Sequence, residues 1–151
     1  MNNFARFVAN AYASVDVSTG VESASRHQLT LMLYDAALKH MDKSRVLMLA
    51  GRIEDKGIAL GKAVRIVEEG LKGTLDLSQG DLALNLKSLY EYIVACLLKA
   101  NLYNDEKLLA EARGLLAGMR DTWVAIAPTE RGEFGQLNAP LNSASFGLAA
   151  A

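Results

Sequence analysis

Cysteine occurs once, at Cys96, so no internal disulfide framework can form. It lies in the apolar run Ile93–Leu98 and reads as a small buried hydrophobe. Proline occurs only at Pro128 and Pro140, which leaves residues 1–127 with nothing to break a helix. Alternating apolar and polar stretches, the mark of half-buried strands, are absent. So are apolar runs long enough to cross a bilayer, and the first residues carry no long apolar stretch of a secretory signal. Neither sign of charge dominates: 16 basic residues face 17 acidic ones, which argues against a nucleic-acid partner. The expectation is a cytoplasmic protein that does not insert in membranes.

Catalytic and cofactor chemistry is equally thin. His27 and His40 are the only histidines, and 13 residues of helix set them roughly 20 Å apart, too far to share a metal ion. No paired Glu-x-x-His motif, haem-attachment motif or phosphate-binding loop occurs, and Gly57 and Gly61 fall within a helical pattern rather than after a strand. The reading is a chain without catalytic residues, cofactor or metal, and not an enzyme.

What is present is apolar matter, 51% of 151 residues, enough for one sizeable core. Ser25 and Gln28 form a capping box for a helix running to about Leu49, with Gly51 ending it. A second helix is expected from about Asp55 to Thr74, its stripe formed by Leu60, Val64, Val67, Leu71 and Leu75. Its glycines, Gly57, Gly61, Gly70 and Gly73, fit either close packing or a compliant helix. A break at Ser78–Asp81 precedes a third helix carrying Leu82, Leu86, Leu89, Tyr90, Ile93 and Leu97 to about Asn101. Asn104 is expected to cap a fourth, which presents Leu108 to Ile126 before Pro128. The fold predicted is all-α: an antiparallel up-down four-helix bundle over residues 1–127, with a flexible tail over 128–151. Phe4, Val8, Tyr12 and Val15 add one short amphipathic helix within a cap segment at residues 1–22.

The first and third helices are apolar around more of their circumference than one core requires. Seven of the ten residues from Leu29 to Leu38 are apolar even without Tyr34. A second face of this kind suits a central place in the bundle, dimerisation, or a groove for a partner's amphipathic helix.

Local words in the chain then resemble a known family. Ala11-Tyr12-Ala13, Val21 to Ser25, His27-Gln28-Leu29 and Met32 to Asp35 are similar to the N-terminal signature of the flagellar secretion chaperone FliS family. The likeness continues through Lys62-Ala63, Ile66-Val67-Glu68, Gly70-Leu71, Asn85-Leu86, Leu89-Tyr90 and Leu97 to Asp105, and closes with Leu115-Leu116 and Trp123. It covers about residues 10–127. One departure is Arg26, where the family commonly has proline after the capping serine.

The resemblance implies a flagellin-specific export chaperone. It would bind the disordered C-terminal segment of flagellin in the cytosol, prevent premature polymerisation and assist delivery to the flagellar type III export apparatus. The export gate would be a second partner, and the chain itself a monomer or weak dimer. The family's N-terminal segment can fold over the binding surface, with Tyr12 contributing. Partner-binding residues expected along the second and third helices are Val64, Val67, Leu71, Leu86, Tyr90, Ile93 and Leu97, with Leu33 from the first and Tyr12 from the cap. The competing reading is a self-associating structural or regulatory helical bundle.

Overall fold

The computed structural model describes residues 3–11 and 25–126, so Tyr12, Val15 and the tail lie outside the described residues. It contains α1 (Asn3–Ala11), α2 (Arg26–Leu49), α3 (Ile53–Arg65), α4 (Asp81–Tyr103) and α5 (Glu106–Ala125). Ile66–Lys72 continues α3 as a π-helical segment, and Leu77–Gln79 forms one 3₁₀ turn before α4. No strand occurs among the described residues.

Each helix begins and ends for a local reason. The Ser25 hydroxyl accepts from the Gln28 N–H at 3.1 Å while the Gln28 side chain accepts from the Ser25 N–H at 2.9 Å, completing the capping box. At the far end of α2, Gly51 takes φ +74°, which glycine adopts at no steric cost, and turns the chain into α3.

The start of α5 differs from expectation. Asn104 does not cap it but ends α4 in the left-handed region (φ 53°), a conformation asparagine tolerates. The cap is Asp105, whose carboxylate accepts from the N–H groups of Lys107 and Leu108.

The second expected helix also departs from regularity. It is α-helical only to Arg65, and then widens, with the Gly73 N–H reaching back five residues to the Glu68 carbonyl at 3.0 Å. Gly70 and Gly73 hold this stretch weakly to α geometry, and the wider turn buries Ile66, Val67, Gly70 and Leu71 together.

The four long helices form an antiparallel bundle in which α2 and α4 sit diagonally, each packed between α3 and α5. Cross-helix bonds fix the directions. Asp35, Asp42 and Arg45 ascend α2 while their partners Arg120, Arg113 and Glu106 descend α5. Lys56 near the start of α3 donates to the Asn101 carbonyl at the end of α4 (2.9 Å), placing a buried ammonium at the negative end of that helix dipole. One core runs through the bundle, centred on Leu33, Met41, Leu60, Val67, Ile93, Leu97, Leu109 and Leu116. No helix among the described residues is long and apolar enough to cross a membrane.

Candidate functional site: the seat of the N-terminal helix

The short helix α1 lies on α2 and the π-helical segment. Its Phe4 and Val8 are buried, Phe7 is half-buried, and Arg6 and Asn10 face solvent. The seat has a specific shape. A Cβ built at Gly70 would come within 2.6 Å of Phe7 Cε1 and 3.0 Å of Leu33 Cδ1. Absence of a side chain at Gly70 therefore makes the hollow that takes the Phe7 ring, floored by the fully buried Leu33. Of the two readings of the glycines, close packing holds at Gly70, whereas Gly61 has open space around it and Gly57 meets only the Asn101 side chain at ordinary contact distance.

Arg26 completes the seat. Its guanidinium lies over the Phe4 ring, 4.5 Å from the centroid, and donates to the Thr74 carbonyl at 3.4 Å. The residue that departs from the family's proline thus clamps α1 to the end of the π-helical segment. Alongside, Arg26, Leu71, Thr74, Leu86, Tyr90 and Trp123 line a cleft of about 30 Å³, no more than a water molecule's share of space.

Beneath lies a polar device in an apolar setting. The Tyr34 and Tyr90 hydroxyls meet at 2.5 Å, fully buried, and join α2 to α4 across the diagonal. Trp123 of α5 stacks on His27 with ring centroids 4.8 Å apart, and its Nε1–H donates to the His27 carbonyl at 3.0 Å. Burial pushes the Tyr34 hydroxyl up to about 12 and holds Tyr90 well above the ordinary tyrosine range.

In an unfolded chain both tyrosines ionise near pH 10. The folded form holds the two protons more tightly, so their contribution is whole below pH 10 and is lost as pH climbs through 12. The expected outcome is an unfolding free energy, from urea titration, that falls between pH 10 and 12 by about 2–3 kcal/mol for Tyr34 alone. The fall should shrink in Y34F/Y90F. An equal slope in that double variant would contradict the assignment.

Of the residues expected to bind a partner, Leu33 floors the α1 seat, and Leu71, Leu86 and Tyr90 meet at the small cleft beside it. Val64 is half-buried against the core, while Val67, Ile93 and Leu97 are fully enclosed. Tyr12 lies outside the described residues. Phe7, Gly70 and Arg26 were missed as parts of the seat. The available signal was Phe7 beside Phe4 and Val8 at helical spacing. The excess apolar width at the start of α2 is met by α1, while on α4 Leu84, Leu98 and Leu102 share an exposed outer face and Tyr103 is exposed at its end. Among the described residues no three His, Cys, Asp or Glu side chains are grouped to hold a metal ion.

The amino-acid sequence has relatives among known proteins. The profile of the family described as flagellar protein FliS matches residues 8–130. The chain belongs to the FliS family. It is 43% identical over 119 residues to the flagellar secretion chaperone FliS of Salmonella typhimurium, spanning 78% of this chain and 88% of that one. To the Escherichia coli flagellar secretion chaperone FliS it is 40% identical over 114 residues, 75% and 84% of the two chains. The similarity reaches Bacillus subtilis FliS at 32% identity over 124 residues, 82% and 91% of the two chains. Each alignment is shorter than this 151-residue FliS-family chain.

Proposed function

We propose that this chain is a flagellin export chaperone of the cytosol. It binds the disordered C-terminal segment of flagellin, prevents premature polymerisation and assists delivery to the flagellar type III export apparatus, without catalysis or cofactor. The observation that carries this reading is the seat at Gly70, which already holds one short amphipathic helix.

Physical balance makes that occupant replaceable. Burying Phe4, Phe7 and Val8 contributes on the order of 5–9 kcal/mol. Fixing a nine-residue helix costs about 9 kcal/mol or more of backbone entropy. With the cost at or above the gain from these three side chains, α1 is held weakly and gives way to a client helix with more anchors, and it covers the seat while no client is bound.

The client surface under this reading follows the seam of α3, the π-helical segment and α4. Leu33 becomes accessible when α1 leaves, and Leu71, Leu86 and Tyr90 line the cleft beside it. Val64 borders them, Val67, Ile93 and Leu97 back them from within, and Tyr12 belongs to the departing segment. The exposed Leu84, Leu98 and Leu102 form a separate apolar strip on the outer side of α4.

The test is calorimetry and light scattering with a flagellin C-terminal peptide. The expected result is a 1:1 complex, with amide protection gained along α3 and α4. A stable homodimer that ignores the peptide would favour the self-associating bundle instead, burying Val46, Leu49, Ile53, Leu102 and Tyr103, each exposed near a hairpin.

A further inference from the structure

The seam between α2 and α3 has a second opening, beyond the α1 seat and toward the hairpin at Gly51. There a cleft of about 290 Å³ lies between His40, Lys43 and Leu47 of α2 and Ile58 and Lys62 of α3. Seven helical residues, about 10 Å along the axis, separate His40 from Leu33 in the seat.

Most arginines on this bundle are matched to a carboxylate. Arg45, Arg65, Arg113 and Arg120 pair with Glu106, Glu69, Asp42 and Asp35. The cleft is different. Its one carboxylate, Asp55, is taken by Arg52 at the mouth. Among the described residues no carboxylate lies within ion-pair distance of Lys43 or Lys62. Both amines nevertheless act on the buried His40 imidazole, which burial, Lys62 and Lys43 together hold below the ordinary histidine range. Two cations and a buried imidazole converge on one hollow whose remaining walls, Leu47, Ile58 and Ala59, are apolar.

Size and chemistry narrow the occupant. The volume is at the bottom of the range for small-molecule sites, which run roughly 300–1,000 Å³ and enclose their ligands. It suits two adjacent side chains, one acidic and one apolar. We infer that this cleft docks a partner protein segment through a carboxylate side chain set between Lys43 and Lys62 and a neighbouring apolar side chain laid on Leu47 and Ile58. The site is separate from the α1 seat and stands whether or not the client is flagellin.

The experiment is nuclear magnetic resonance on the full chain with three probes. These are a capped tetrapeptide holding one glutamate among leucines, its glutamine counterpart, and inorganic phosphate. The glutamate peptide should shift the His40 ring and the Lys43 and Lys62 amides. It should also move the His40 titration upward, because a bound carboxylate favours the imidazolium against Lys62 and Lys43. The glutamine peptide should bind more weakly, and K43Q/K62Q, exposed positions whose loss leaves the core intact, should weaken the glutamate peptide about tenfold. Equal binding of the two peptides, equal binding by K43Q/K62Q, or no binding at all overturns the proposal. Phosphate competing as well as the peptide would also overturn it, since the cleft would then read charge alone.

Discussion

Replacing Gly70 with leucine should lift α1 off the bundle while leaving the four long helices folded. The side chain would enter the space of the Phe7 ring, whose nearest atom is 2.6 Å from where its Cβ would stand, and Leu33 on the other side has no room to retreat. The bundle itself should lose about 1–3 kcal/mol to crowding at Leu33, less than the 5–15 kcal/mol that holds a domain of this size. Phe7 alone contributes roughly 1.5–3 kcal/mol to a docking that is close to balance. Its loss shifts the bound fraction of α1 about tenfold or more. Hydrogen exchange should show α1 amides unprotected and the α2, α4 and α5 amides unchanged. Unchanged protection in α1 would mean that the ring merely turns aside and that Gly70 does not govern the seat.

The largest loss of stability is expected at Trp123. Its ring is stacked on His27, lies 6.4 Å from the Tyr34 ring, and ties the end of α5 to the start of α2 through the His27 carbonyl. Trp123→Ala should cost about 3–5 kcal/mol, a large part of the 5–15 kcal/mol that holds a domain of this size. Trp123→Phe keeps most of the packing and loses the hydrogen bond, and should cost about 1–2 kcal/mol. Urea unfolding followed by circular dichroism measures both. A loss under about 1 kcal/mol for the alanine variant would show that α5 is held elsewhere, chiefly by Leu109 and Leu116.

The helices were legible in the sequence wherever a local signal and the apolar period agreed. Ser25 with Gln28 marked the start of α2, and Gly51 its end, because caps and left-handed turns are decided by a few adjacent residues. The Asn104 and Asp105 pair was ambiguous for the same reason. Both residues make good caps, and only the backbone shows that asparagine took the left-handed turn and aspartate the cap.

The π-helical segment left no trace in periodicity, since Val67 and Leu71 fit an α stripe as well as a wider turn. The seat was half visible. Phe4 and Val8 declared an amphipathic helix, but the hollow at Gly70 exists only where two segments distant in sequence meet. Arg26 read as a departure from a family pattern until Phe4 was seen beneath its guanidinium. The apolar width of α4 said that a second face existed, not which of its leucines, Leu86 or Leu98, would be enclosed.

The charge order along α2 and α5 carries a further consequence, for assembly of the fold itself. Sliding one helix past another by seven residues, two full turns, keeps apolar stripes almost aligned, so grease alone tolerates the error. The ladder does not. Moved seven residues one way, α5 would set Glu106 beside Asp42; moved the other way, it would set Arg113 beside Arg45. The native alignment is the one of the three that joins opposite charges at every rung. Exposed pairs of this sort add little to stability. They spell an address that lets α5 close the ring in one register.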